Sequence, residues 1–367
     1  RLHATWLPPS VEDGAYGRGA QRNPSGTVES GPAAARHAHH GEVSDGPGVR
    51  TRTGRALTAI PAGAGAAAMS TGIVSVALHL VGFEWLSRFW LIVGALIWAL
   101  LVVVFVGRLF DDRARWVNEA DTPPALTGVA ATCVLGARCV LLGWNHVGAV
   151  ALGIAFVAWL VLIPAVVRHW TSPTVGVHFL LCVSTQGLAV LGASLAVSAP
   201  APWIVGPAFV AFLLGLFFYL MVLIRFSFDQ FRVGAGDQWV FAGGLAISAL
   251  AAGKLAPAAV AAGWPEGLHD AIRVAGVVIV CIVLIDYVVL VVSEIRWPRL
   301  QYDVRRWSTA FPMGMTSAAS LTVAVSSDAD WLRPIGEILV WPAVVVCLIL
   351  LVGSGRHLTA EARPAST

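Results

Sequence analysis

The sequence predicts an all-α polytopic membrane protein of about ten transmembrane helices, and three observations predict it. First, 57% of the 367 residues are hydrophobic and 12% charged, with a mean hydropathy of +0.75, whereas soluble domains carry roughly 25% charged residues. Second, apolar runs of about 20 residues, the length that crosses a bilayer core, recur from residue 64 onward. Third, these runs alternate in character. Odd runs are small and hydroxyl-bearing, even runs bulky.

The runs fall near 64–83, 89–107, 124–143, 146–167, 175–198, 203–224, 238–260, 272–293, 308–327 and 335–353. With these assigned, residues 61–355 read as one membrane domain with no soluble domain left over. Residues 1–60 are rich in Gly, Pro, Ser and Arg without apolar period, and predict a disordered tail; residues 356–367 form a second tail. The cluster His37, His39 and His40 reads as part of that solvated tail rather than a metal site. No apolar leader with a small-residue cleavage site precedes the first run, and the first Met is Met69.

A formal net charge of +3 gives no reason to expect a nucleic-acid partner. Cys133, Cys139, Cys182, Cys281 and Cys347 all lie inside apolar runs without metal-ligand spacing, which predicts buried thiols and no cofactor. Arginine sets the topology. Arg50, Arg52, Arg55, Arg108, Arg113, Arg115, Arg168, Arg225, Arg232, Arg296, Arg299, Arg305, Arg306, Arg356 and Arg363 flank one side, against Arg88, Arg273 and Arg333 on the other. The positive-inside rule then places both termini in the cytoplasm of a multi-pass cell-membrane protein.

The odd runs contain "GAGAAAMSTGIVSVAL", "TGVAATCVLGARC", "LLCVSTQGLAVLGAS", "FAGGLAISALAAGK" and "TAFPMGMTSAAS", and the even runs are almost wholly apolar. Small residues let helices approach closely, and hydroxyls are tolerated away from lipid. Tight packing explains any one such run. Alternation through five pairs predicts an inner five-helix ring around a central pore, enclosed by an outer ring of bulky helices. Candidate lining residues are Thr71, Gly72, Ser184, Thr185, Gln186, Gly187, Thr316 and Ser317.

Charge inside the inner runs points to the solute. Arg138 and Lys254 lie at similar depth and would attract anions, the bland alternative being snorkelling to the interface. His178 sits near the cytoplasmic mouth and reads as a packing residue. Asp286, the one acid well inside a run, is a candidate for proton coupling, although it lies on an outer helix.

"MSTGIVSVAL" (69–78) resembles the first-helix signature of the tellurite-resistance/C4-dicarboxylate transporter family. "WSTAFPMGMTSAAS" (307–320) resembles that family's ninth helix, especially in the plant guard-cell slow anion channels, and "FFYLMVLIRF" (217–226) is a weaker match to the sixth. The resemblance covers about residues 64–355 and extends to yeast malate permeases and fungal sulfite exporters. It implies five helical hairpins, a homotrimer in the bilayer, and passage of a small anion: chloride, nitrate, sulfite, tellurite or a C4-dicarboxylate. It also implies a ninth-helix aromatic plug and proline-bent inner helices, here Phe311 and Pro312, with Gly72, Gly136 and Gly187 supplying flexibility where proline is missing.

An integral-membrane prenyltransferase-like enzyme is the alternative, using the Asp-rich loop at 111–121 to hold Mg²⁺ against a pyrophosphate. The loop lacks DxxxD spacing, and "FDQFRVGAGDQW" supplies only Asp229 and Asp237 as a second site. No hydrolase or zinc-protease motif is present either. The sequence thus favours a conduit over an enzyme.

Overall fold

The computed structural model describes residues 60–361 apart from 171, 200, 300 and 301. The N-terminal tail, its histidine cluster, and Arg50, Arg52, Arg55 and Arg363 lie outside the described residues. Ten long helices occur among the described residues: α1 (Gly65–Leu80), α2 (Glu84–Asp111), α3 (Leu126–Leu141), α4 (Asn145–Arg168), α5 (Leu180–Ser198), α6 (Val205–Leu223), α7 (Val240–Ala261), α8 (Glu266–Arg296), α9 (Trp307–Ser326) and α10 (Leu332–Glu361).

Eight of the ten are long and apolar enough to span a membrane, fewer than the sequence suggested. The two exceptions are α1, with 16 residues, and α9, whose 20 residues carry six hydroxyls in "WSTAFPMGMTSAASLTVAVS" up to Thr322 and a seventh at Ser326. Both are buried along nearly their whole length, so neither needs lipid-grade hydropathy. The odd–even difference reappears as burial. The apolar windows containing α3, α5 and α7 are 72–94% buried, and those of the even helices only 11–33%. Ile92, Leu96, Val103, Val157, Ile285 and Ile338 stand out from the even helices, an apolar surface that only lipid or another chain can cover.

Each even helix packs on the odd helix before it: α2 on α1, α4 on α3, α6 on α5, α8 on α7 and α10 on α9. Among the odd helices, α1 packs on α3, α3 on α5, α5 on α7, α7 on α9, and α9 on α1. The connection after α1, α3 and α7 is the same tight turn. Gly82, Gly143 and Gly263 adopt positive φ (84°, 81° and 72°), and the next residue, Phe83, Trp144 or Trp264, donates its N–H back to Leu78, Cys139 or Ala259. This left-handed glycine cap satisfies the last helical carbonyls and reverses the chain in a few residues. After α9 the same reversal uses Asp328 at φ 52°, with Ala329 N–H bonded to Ala324.

Connections at the opposite end are longer and stapled by charge. Glu294 accepts from Arg299 (3.0 Å) and Arg306 (2.5 Å), and Arg299 also donates to the Phe231 carbonyl at 2.8 Å. Asp303 caps the turn entering α9, accepting from the Arg305 backbone N–H at 2.9 Å and from its Nη2 at 2.7 Å. The start of α9 is held further by Trp307, whose Nε1 donates to Ser354 on α10 at 3.0 Å. These contacts fix the helix that carries Phe311.

Candidate anion path

Proline at position 312 has no N–H, so the Ser308 carbonyl loses its helical partner in the second turn of α9. Phe311 stands beside this break with no exposed surface. Across from it, α7 presents Gly243. A Cβ there would lie 2.8 Å from Pro312 Cγ and 3.2 Å from Phe311 Cε1, so the ring occupies space that any side chain on Gly243 would need. Gly314 of α9 lets α1 approach, its missing Cβ 3.1 Å from Ile73 Cγ2.

Helix geometry says which way this contact faces. At about 100° per residue, Gly243 lies about 180° around α7 from Ala252. Ala252 is the residue packed on Gly276 of α8. The Phe311–Gly243 contact is therefore on the face of α7 turned away from α8. Lys254, at 11 residues (three turns) from Gly243, returns to the same face within about 20°. Thr322 lies 11 residues from Phe311 and returns to the Phe311 face of α9 in the same way. The two helices run in step, for Thr322 Cγ2 is 3.0 Å from where a Cβ on Gly253 would stand.

The other expected lining residues each have a hydrogen-bond or packing partner. Thr185 accepts from Trp159 Nε1 of α4 at 2.9 Å and donates to the Leu181 carbonyl at 2.7 Å, so its hydroxyl is spent toward the outer helix. Thr132 of α3 accepts from Trp98 of α2 in the same way at 2.8 Å. Ser317 donates to Gly336 of α10 at 2.7 Å, and Gln186 to Phe212 of α6 at 3.0 Å. Thr71, Ser184 and Thr316 bond carbonyls of their own helices, at Ala67, Leu181 and Pro312. Thr71 also fills the notch at Gly94 of α2. Gly72, Gly136 and Gly187 receive Val134, Leu191 and Cys133, so each permits close helix packing. A hydroxyl in an apolar helix needs an acceptor, and here the nearest is a backbone carbonyl of its own or the adjoining helix.

Arg138 has partners of its own. It is wholly buried at the α1–α2–α3 junction, where Nη2 donates to Glu84 Oε1 at 2.7 Å and Nε to Ser87 Oγ at 2.9 Å. Glu84 also takes His79 Nδ1 at 2.6 Å and Arg88 Nε at 3.0 Å, while Ser75 and Ser87 exchange hydrogen bonds with each other's carbonyl at 2.7 Å. Its charge is balanced in place. Lys254 is half-buried, and no hydrogen bond or ion pair holds it among the described residues. Thr322, which sequence reading passed over, has a buried hydroxyl without a partner. The spacing that could have found it is the 11-residue interval from Phe311.

Asp286 sits on α8 with its Oδ2 buried and unpartnered. His178 accepts the Val175 N–H at 3.1 Å and lies 5.6 Å from the Trp170 ring, a local packing role. In the acidic loop, Asp112 caps the short helix Arg113–Ala120, and Glu119 pairs with Arg108 at 2.6 Å and Arg115 at 2.9 Å. Those carboxylates are committed to arginines and a helix end, not gathered for a cation.

No curated protein matches the chain. The sequence profile of the voltage-dependent anion channel family (SLAC1) matches residues 60–354, the ten-helix region just described apart from the end of α10. The chain belongs to this family of multi-pass membrane anion transporters and is not an enzyme.

Proposed function

We propose that the five α-hairpins enclose a central path for small anions, that the odd helices line it, and that Phe311 closes it. One observation carries the reading: Phe311 is fully buried beside a proline break and fills the space left by Gly243 on the opposing helix. An aromatic ring there blocks the path sterically and keeps it dry, and an apolar constriction gates by excluding water. The cyclic packing order of the odd helices supports a path between them. Its walls are less polar than the hydroxyl content suggests, because Thr185, Ser317 and Gln186 are engaged with outer helices.

In this reading the chain is a channel of the cell membrane, assembled as a homotrimer with both termini cytoplasmic. The excess of arginine at the ends of α2, α4, α6 and α8 supports that orientation. Asp286 stands on an outer helix, which favours passive conduction over proton-coupled carriage. The substrate is a small anion of the chloride, nitrate, sulfite, tellurite or C4-dicarboxylate type. Purified protein in liposomes should release anions down their gradient, with or without a pH difference. Transport that runs only when a pH gradient is imposed would replace the channel by a proton-coupled carrier.

A further inference from the structure

We propose that Lys254 and Thr322 form an anion-binding station on the same path, three turns beyond Phe311, built for a small, singly charged anion. The proposal rests on the conduit reading above and names its substrate class. Four observations carry it. Lys254 is the chain's sole lysine, and no carboxylate or other partner holds it among the described residues. Thr322 is only 7% exposed, and its Oγ1 is buried without a hydrogen-bond partner. Its helix neighbours behave otherwise: Thr316, Ser317 and Ser320 all donate to carbonyls, at 2.7–2.8 Å. Thr322 and Gly253, the residue before Lys254, are in contact across the α7–α9 interface.

The fourth observation is access. An open groove of about 440 Å³ begins one turn beyond Lys254, lined by Ala258 and Ala261 of α7, by Ala262 just after it, and by Ala196 and Ser198 of α5. Its walls are small and uncharged, so nothing there competes with Lys254 for an anion.

A half-buried cation without a counter-charge and a buried hydroxyl without a partner are both costly among apolar helices. A bound anion removes both costs at once, accepting from the ammonium and from the hydroxyl. The electrostatics also set the ligand. One uncompensated positive charge balances one negative charge, whereas a C4-dicarboxylate brings two and would leave the second buried without a partner. Chloride or nitrate fits this site, and succinate or malate does not. Arg138 cannot supply the second cation, because Glu84 already holds it at 2.7 Å.

Two variants test this, Lys254→Met and Thr322→Val, each close in size to the native residue. Thr322→Val removes a buried unsatisfied hydroxyl and Lys254→Met a half-buried cation without a counter-charge, so both should leave the detergent-solubilised protein at least as heat-stable as wild type. Both should nevertheless lose function. A charge-assisted hydrogen bond sets the scale for Lys254→Met, about tenfold or more in nitrate flux at low concentration, and a neutral one sets about fivefold for Thr322→Val. Binding is read separately: nitrate, but not succinate, should raise the melting temperature of wild type, and the shift should vanish in Lys254→Met. Stability that holds while flux and the nitrate shift fall supports the station. Unchanged flux and an unchanged nitrate shift overturn it, as does a shift by succinate equal to that by nitrate. If wild-type liposomes pass no anion, the conduit reading fails, and the melting shift alone still decides whether Lys254 and Thr322 bind an anion.

Discussion

Arg138 and Glu84 form an ion pair at 2.7 Å between α3 and the first turn of α2, with the guanidinium wholly buried and the carboxylate one-third exposed. The asymmetry decides what each partner's loss does. Removing Arg138 leaves Glu84 with His79, Arg88 and water, whereas removing the Glu84 charge strands a cation that has no access to solvent.

Glu84→Gln should therefore destabilise more than Arg138→Met. A stranded buried charge costs about 3–5 kcal/mol, against about 1–3 kcal/mol for the lost charged hydrogen bonds. Thermal unfolding in detergent gives the order. Anion flux per folded molecule, and its dependence on ionic strength, should stay near wild type in Arg138→Met. A selective loss of flux at low salt would return Arg138 to the path.

Thr185 provides a test of which hydroxyls matter. Because Trp159 and the Leu181 carbonyl claim it, Thr185→Val should cost about 1 kcal/mol of stability and leave flux and anion preference unchanged. A changed selectivity with intact stability would put Thr185 on the path after all.

Asp303 links pH to the entry of α9. Burial opposes its ionisation, but hydrogen bonds from the Arg305 side chain and backbone, with the charges of Arg305 and Arg306, outweigh burial and hold its carboxyl below the ordinary value of 3.8. A depressed folded value means the stabilisation is complete above pH 3.8 and is lost as pH falls through the lower folded value. Wild type should thus lose an increment of heat stability in acid that Asp303→Asn lacks. Parallel acid profiles for the two proteins would show that Asp303 contributes nothing at this turn.

The sequence displayed the helices well, because their boundaries are set by apolar length and their burial by residue size. The turn after α1, α3 and α7 was also present in it, as Gly-Phe at 82–83 and Gly-Trp at 143–144 and 263–264, though only the φ angles reveal these as one repeated cap. Side-chain direction was the illegible part. Thr185, Ser317 and Gln186 sit in small, polar runs, and composition cannot tell a hydroxyl facing a path from one bonded to the next helix. Arg138 was visible as a buried charge, but its partner Glu84 lies 54 residues away on another helix. Phe311 was recognisable by its family-like motif, and Lys254 by being a charge in an apolar run. Thr322 became visible only once its unpartnered hydroxyl could be compared with its bonded neighbours.

The measurement that tests the central claim most directly is anion flux per folded molecule in liposomes for Phe311, Phe311→Leu and Phe311→Ala. If the ring is the plug, flux should rise from Phe through Leu to Ala, and the Ala variant should leak at rest. If the ring is only core, Phe→Ala typically costs about 3–5 kcal/mol in stability and brings no gain in flux. Flux that stays level or falls from Phe to Ala, with the variants folded, would contradict the gate.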